Sequence, residues 1–522
     1  MTIRTLPLVR RSCATSSCVA VAAALTLVAL SRPPRTAAAQ VVEIKTLPIA
    51  QGDQFAFFPS ANQGMAGLSI ALADPLLDPF VNPAKGARLG GAYFVGSPTF
   101  YSLTRDAGGG KTLPIGGLLS SGSTFGGALF ALQELSPNRT DNQVFAPPVL
   151  FSERPSFPQP EQLSSKENHY AFGMLGRRFA DSRVSIAGSM LWSGLRRIDG
   201  VDQLYAGSQS VRQAGSALDA RLGLLKEWEG NRSLEAMVLH EHLDMTHDVA
   251  FLDRFWDPNT RLFSSRPRLE HNLDRSKMWG LHLAYQQPLA DAGWRVGTIL
   301  TGNLLSHPKL PNYEVEDVVQ PIPWDPGHSA AYNLGLGVAR TYGATTFGMD
   351  AIYEPIRSHT WGEAPAPITT ASGGTIPAGG KTTENQFRFS NGIVRTGLTQ
   401  DLQLEGVENP LRLQLGLSAH VIHYWLDQVD HEQESRRQQE ERWTEWTRTW
   451  GMSLRISTVE MRYLGRSTSG TGRPGVRRET RGFFATPDVL TASNIVAAPS
   501  GPLTLTDVRV TTHQISLSVP IR

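Results

Sequence analysis

The chain has 522 residues, with 49 Lys and Arg against 47 Asp and Glu, for a formal net charge of +2. Five of the arginines lie within residues 1–39, so the remainder carries a formal charge of −3 and implies no nucleic-acid partner. Both cysteines, Cys13 and Cys18, lie there too, which excludes disulfides and thiol chemistry from the rest of the chain.

Residues 1–39 have the layout of a secretory signal peptide. The positive n-region contains Arg4, Arg10 and Arg11. The apolar run Cys18–Leu30 is shorter than the roughly 20 residues that a membrane-spanning helix needs, and alanines at 37–39 suit signal peptidase. A single N-terminal anchor helix is the alternative. We expect cleavage and export to a Gram-negative periplasm or outer membrane, which a cysteine-free mature chain fits.

The stretch from 63 to 89, QGMAGLSIALADPLLDPFVNPAKGARL, comes next. Its Gly, Asp and Asn-Pro positions predict compact turns rather than a long helix or a full strand. It resembles the N-terminal region of the FadL-like outer-membrane transporters and their PorV-like relatives, where such a segment forms a hatch in the barrel lumen. The matching residues are Ala71-Leu72-Ala73-Asp74 and Asn82-Pro83-Ala84, with Pro75 where a second acid often follows.

Three parts are expected in the chain. After a signal peptide expected at residues 1–39, the resemblance implies a hatch or plug over residues 40–87 and an outer-membrane β-barrel over residues 88–522. The hatch motif that it implies consists of Gly64, Gly67, Asp74, Asn82, Pro83 and Ala84.

In the rest of the chain, apolar and polar residues alternate with a period of two. After residue 39 no apolar run approaches 18 residues, so membrane helices are excluded and a soluble β protein or a membrane β-barrel remains. Segments of about 10 residues place apolar side chains at every second position, as a lipid-facing barrel wall requires. These segments are longer than the strands of a soluble sandwich. Examples are Val184–Trp192, Trp279–Tyr285, Trp294–Leu300, Tyr332–Val338, Phe347–Tyr353, Leu411–Val421, Trp450–Ile456 and the last strand, Ile515–Ile521.

Short and long connections follow one another in turn. Tight turns are predicted at 180–182, 229–231, 288–291, 342–343 and 457–458, and long outer loops near 196–214, 243–275, 305–328, 356–384, 426–444 and 466–506. This alternation predicts an all-β, antiparallel transmembrane barrel with fourteen strands. The number becomes sixteen if Arg88–Leu103 and Lys111–Leu119 form a further hairpin around the glycines at 108–110.

Several side chains are candidates for the lumen or for chemistry. Arg412, Gln414, Ser418 and His420 lie on the parity opposite to the apolar wall and are predicted to face the lumen. His240 and His242 share a strand face and could meet a metal, although a polar strand end is the simpler interpretation. The charged run Asp427–Glu445 is either a solvated loop tip or a short helix facing a partner or lipopolysaccharide phosphates.

The resemblance implies a channel for uptake of hydrophobic or amphipathic small molecules, as in a long-chain fatty acid transporter. A PorV-like partner or anchor of a protein-secretion apparatus is the alternative, and an outer-membrane hydrolase with Ser and His on one face comes third. We predict no catalytic residue, metal or cofactor. The expected partners are membrane lipids, lipopolysaccharide, a hydrophobic ligand and the outer-membrane assembly machinery, with a secretion-system partner as an alternative.

Overall fold

The computed structural model describes residues 54–103, 108–136, 165–199, 210–257, 262–289, 293–306, 312–315, 318–321, 327–405, 408–470 and 509–521. The signal peptide and the first part of the predicted hatch lie outside these residues. Among the helices of the described part, none is long and apolar enough to cross a membrane.

Apart from the short separate pair Ile368–Thr369 and Thr375–Ile376, the described strands form one closed antiparallel sheet around a short N-terminal segment. That segment contains the helix α1 (Asp78–Val81) and two 3-10 turns, Gln63–Met65 and Pro83–Arg88. The strands are β1 (Ala92–Gly96), β2 (Thr99–Leu103), β3 (Gly109–Ser121), β4 (Thr124–Ser136), β5 (Lys166–Phe179), β6 (Val184–Leu195), β7 (Ser210–Trp228), β8 (Arg232–Asp257), β9 (Leu262–Pro288), β10 (Trp294–Ser306), β11 (Asn312–Val315), β12 (Val318–Pro321), β13 (Gly327–Tyr342), β14 (Thr345–Glu363), β15 (Ile368–Thr369), β16 (Thr375–Ile376), β17 (Lys381–Leu402), β18 (Leu411–Asp430), β19 (Ser435–Ile456), β20 (Val459–Ser469) and β21 (Arg509–Ile521).

Sixteen strand positions make up the wall within the described residues. The first position is shared by β1 and β2, which both pair with β21 on one side and with β3 on the other, and this closes the barrel. The alternative of sixteen strands is therefore correct and the preferred number of fourteen was wrong. The first strand is interrupted at Ser97-Pro98, so its alternation is too short to identify from the sequence.

The predicted lipid-facing parity is confirmed. Leu415 is 63% exposed and Leu336 is 68% exposed, while their strand neighbours of opposite parity turn inward. The last strand agrees, since Ile515 and Ile521 are exposed and Gln514 is buried. A soluble protein does not expose a continuous band of large apolar side chains, so this band is the surface that meets lipid.

The tight turns predicted at 180–182, 229–231, 342–343 and 457–458 are confirmed, all at the barrel end that carries Ala92 and Ile521, whereas the turn predicted at 288–291 lies partly outside the described residues. One of the confirmed turns is the three-residue connection between Trp228 and Arg232, in which Gly230 and Asn231 have positive φ of 75° and 56°, a conformation that favours Gly and Asn. Tight turns and both chain ends mark the periplasmic side of such barrels.

Two of the predicted outer loops were wrong. Residues 243–275 belong largely to β8 and β9, and residues 426–444 to β18 and β19, so the strand ladder continues past the apolar band. The proposed helix at Asp427–Glu445 is a hairpin instead, with Asp430 opposite Ser435. Beyond the apolar band the outward-facing residues of β18 and β19, such as Asp427, Arg436 and Glu440, are polar, so the apolar alternation that marks the wall ends although the backbone hydrogen bonds continue.

Candidate functional site: a hatch and an aromatic shelf in the lumen

The hatch segment, residues 54–89, lies inside the barrel toward its periplasmic end. The Ala66 amide donates to Thr449 Oγ1 (2.9 Å), and this hydroxyl donates to the Gly64 carbonyl (2.9 Å). Gln414, predicted to face the lumen, donates from Nε2 to the Ala61 carbonyl (3.0 Å). These bonds attach the segment to β18 and β19.

The same segment is also bonded to strands on another side of the wall. The Asp350 carboxylate accepts from the Ser69 amide (3.0 Å) and the Ile70 amide (3.3 Å). Gln286 Nε2 donates to the carbonyls of Ser69 (3.2 Å) and Ile70 (2.9 Å). The hatch is therefore held from β9 and β14 as well as from β18 and β19.

Glycines on the inner wall let the hatch backbone approach closely. A Cβ at Gly397 would lie 2.6–2.8 Å from Met65 Cβ, O and Cα. The hatch backbone meets the wall in the same way at Gly297, Gly337 and Gly416. Because glycine has no side chain, the main chain of the hatch fits against the wall here, and these glycines form part of the surface that the hatch contacts.

Asp74, a predicted motif residue, organises the hatch from within. Its buried carboxylate accepts from Ser60 Oγ (2.5 Å), the Ala61 amide (2.8 Å) and the Leu77 amide (3.0 Å). Gly67 has φ of 69°, a conformation that favours glycine. Together they fold residues 60–77 into consecutive turns.

The Asn82-Pro83-Ala84 sequence forms the second half of the hatch. Asn82 is extended, with φ −119° and ψ 106°, as expected for a residue before proline. Its Oδ1 accepts from the Ala84 amide (3.1 Å) and caps the turn that follows, while Nδ2 donates to Glu235 Oε2 (3.4 Å). Ala84 is fully buried.

A buried ion cluster that sequence reasoning missed fastens this half to β8. Lys85 Nζ lies 2.7 Å from Asp78 Oδ1 and 3.1 Å from Glu235 Oε1. Burial raises the pKa of Asp78 to about 6, although the neighbouring Lys85 ammonium opposes that rise. The signal in the sequence was a lone lysine in an apolar segment, but nothing there indicated its partner on β8.

Aromatic packing and a polar network hold the start of the described hatch. The rings of Phe57 and Tyr170 lie 4.8 Å apart, and those of Phe80 and Phe172 lie 5.0 Å apart. Gln54 Nε2 donates to the Arg197 carbonyl (3.0 Å). The segment is thus anchored to the wall along its whole described length.

Outward of the hatch, apolar side chains from five strands form one continuous patch on the inner wall. Register alignment places Ala331 opposite Ile356, Ile356 opposite Phe389, and Phe389 opposite Tyr424. We call the patch the aromatic shelf; it consists of Ala331, Ile356, Phe387, Phe389, Ile422, Tyr424, Leu426 and Trp443. The Phe389 and Tyr424 rings are 5.1 Å apart.

The shelf contains one unsatisfied polar atom. Tyr424 is fully buried, and its hydroxyl has no hydrogen-bond partner among the residues that the structure describes. A buried hydroxyl without a partner costs about 1–3 kcal/mol, so a ligand that displaced the side chains covering Tyr424 would gain a hydrogen-bond donor. On β17 the order toward the outside is Arg395 at the hatch, Asn391, then Phe389 and Phe387 of the shelf.

The remaining predicted lumen residues have separate positions. Arg412 lies near the periplasmic end, with Nε 2.7 Å from Asp401 Oδ1. His420 Nδ1 is 3.9 Å from Glu445 Oε2, too long for a hydrogen bond. Ser418 lies two residues from His420 on the same strand face.

The histidines considered for a metal lie on the outer face of β8. His240 stacks on Trp279 with ring centroids 4.2 Å apart, and its Nδ1 lies 2.9 Å from the Met278 carbonyl oxygen. Within the described ranges, no group of three His, Cys, Asp or Glu side chains is arranged to hold a metal.

A closed antiparallel barrel with an apolar outer band and an occupied lumen is a β-barrel of the outer-membrane type. Its structure is similar to that of a Pseudomonas aeruginosa FadL homologue, with a TM-score of 0.44 and 10% identity over 89% of this chain and 100% of that chain. It is also similar to the Ralstonia pickettii toluene transporter TbuX, with a TM-score of 0.40 and 10% identity over 90% of this chain and 100% of that chain.

The P. putida toluene transporter TodX matches with a TM-score of 0.34 and 11% identity over 88% of this chain and 98% of that chain. No protein-family model and no curated protein sequence matches the chain. The hatch motif predicted a resemblance to the FadL-like family. Solved structures of FadL-type barrels are among those whose fold is similar to that of this chain.

Proposed function

We propose that the protein admits hydrophobic or amphipathic small molecules through the outer membrane, with the aromatic shelf as their binding surface. The observation that supports this most directly is the shelf itself, eight apolar or aromatic residues on the inner wall with one unsatisfied hydroxyl. Ligand sites of this kind combine an apolar lining with few polar groups that orient the ligand.

The order of the shelf and the hatch along the lumen suits a ligand that passes through the barrel in two steps. A ligand from outside meets the shelf before it meets the hatch, and the hatch is bonded to the wall on several sides. Entry to the periplasm therefore requires the hatch to shift. That residues 40–87 act as a plug stays a prediction, and so does cleavage of the signal after Ala39.

Binding to the purified barrel in nanodiscs tests the proposal. Ile422→Gln places a polar amide on the shelf and should weaken binding of a medium-chain alcohol about tenfold, because burying an unpaired amide costs about 1–3 kcal/mol. Leu464→Gln is the matched control, since Leu464 also faces inward but lies on β20, outside the shelf.

Tyr424→Phe tests the role of the hydroxyl. It should weaken binding of the alcohol about two- to tenfold and leave binding of an alkane of equal length unchanged, because one neutral hydrogen bond contributes about 0.5–1.5 kcal/mol. If Ile422→Gln and the unaltered barrel bind both probes equally, the shelf is not the ligand site and the transport proposal loses its main support.

A further inference from the structure

Two arginines face each other on the outer surface of the barrel. Arg357 on β14 lies directly opposite Arg388 on β17, and both side chains are exposed. Arg357 shares its strand face with Tyr353, which is 48% exposed in the lipid-facing band. Arg357 is four residues after Tyr353 in the same strand, so it lies about 13 Å further from the periplasmic end than Tyr353, beyond the apolar band.

This arrangement leaves positive charge without a partner. Like charges directly opposite across a strand pair are destabilising. In the described part of the chain no ion pair or hydrogen bond joins either guanidinium to another residue, and the same holds for the exposed Arg442 on β19, two residues from Glu440. An external anion would remove the repulsion.

The acids nearby are already engaged. Asp427 accepts from Arg436 Nε (2.8 Å), Glu440 is bonded to His423 Nε2 (2.7 Å), and Glu384 is paired with Lys381 Nζ (2.8 Å). Asp427 and Glu384 are therefore each paired with a cation of their own, and the Asp427 carboxylate also attracts Arg388 at longer range. Three guanidinium groups at this rim still exceed the carboxylates that are open to them, so Arg357, Arg388 and Arg442 can attract an anion from outside the chain.

We propose that Arg357, Arg388 and Arg442 bind the phosphate groups of the glycolipid that fills the outer leaflet. The three arginines lie beyond the lipid-facing band, at the barrel end opposite to the tight turns, where lipid headgroups meet the wall. Guanidinium forks bind phosphate oxygens in pairs, and the surface continues directly from the band that contacts acyl chains. This surface is separate from the lumen and does not depend on the proposed transport.

Native mass spectrometry of the purified barrel with diphosphoryl and monophosphoryl lipid A tests the proposal. The unaltered barrel should retain the diphosphoryl form at least about fivefold better, and Arg357→Gln/Arg388→Gln should weaken that binding about tenfold or more, since hydrogen bonds to charged groups contribute about 1.5–3 kcal/mol. Arg340→Gln is the control, because Arg340 is also exposed on the outer face but lies at the periplasmic end, over Trp294.

Three results would overturn the proposal: equal retention by the double variant, equal retention of both lipid forms by the unaltered barrel, or displacement of the lipid by inorganic phosphate at the same concentration. The last result would make the site one for free phosphate. If the double variant does not assemble, the comparison of the two lipid forms on the unaltered barrel still decides.

Discussion

Gly397→Ala should loosen the hatch without harming the barrel. The added methyl would lie 2.6–2.8 Å from Met65 Cβ, O and Cα, a distance that real Cβ atoms do not tolerate. Part of the obstruction is main chain, so a change of side-chain rotamer does not relieve it. Either the hatch moves or β17 bends, and β17 is fixed by ladders to β14 and β18.

Overpacking of a well-packed site costs about 1–3 kcal/mol. If that cost falls on the seated hatch, the population of displaced hatch rises about 5- to 150-fold, because 1.4 kcal/mol corresponds to a factor of ten. Single-channel recording in planar bilayers measures that population as the frequency of open events. Gly392→Ala is the control on the same strand, since nothing lies within 4 Å of a Cβ there.

A chain lacking residues 54–87 sets the upper limit of conductance. We expect it to assemble, because the strands close their own edges without the hatch. If Gly397→Ala conducts no more than Gly392→Ala while the truncated chain conducts strongly, the close contact does not hold the hatch. If the truncated chain also stays closed, the segment is not a plug.

Two further predictions concern the wall and the ion cluster. Leu415→Arg should reduce the free energy of unfolding in lipid vesicles by about 2–4 kcal/mol in a urea titration, while Gln414→Arg changes it little; equal costs would mean that the two faces are misassigned. Lys85→Met leaves two buried carboxylates unpaired and should destabilise the seated hatch by about 3–5 kcal/mol, seen as faster proteolysis of residues 54–89. Lys111→Met, at an exposed pair 3.8 Å apart, is its control and should change nothing measurable; equal proteolysis of both variants would exclude the cluster as an anchor.

Much of the wall could be read from residues alone. Lipid contact requires one face of every strand to be apolar, and a strand alternates strictly, so the parity of Leu415 or Ile515 is already present in the sequence. Turn positions such as Gly230-Asn231 are equally local, because positive φ selects a few residue types. The hatch turns at Asp74 and Asn82 follow from the same local chemistry.

Only the tertiary structure decided what depends on contacts between distant residues. The number of strands depended on closure of β21 onto the interrupted first strand. The aromatic shelf joins Ala331 to Tyr424 through two intervening strands, and Lys85 of the hatch pairs with Glu235 on β8, 150 residues further along the chain. Inward-facing residues need no single polarity, since they meet water, hatch or ligand according to depth. The sequence pattern of the inward-facing residues therefore does not show which residues they contact. The strand register of the closed barrel determines those contacts.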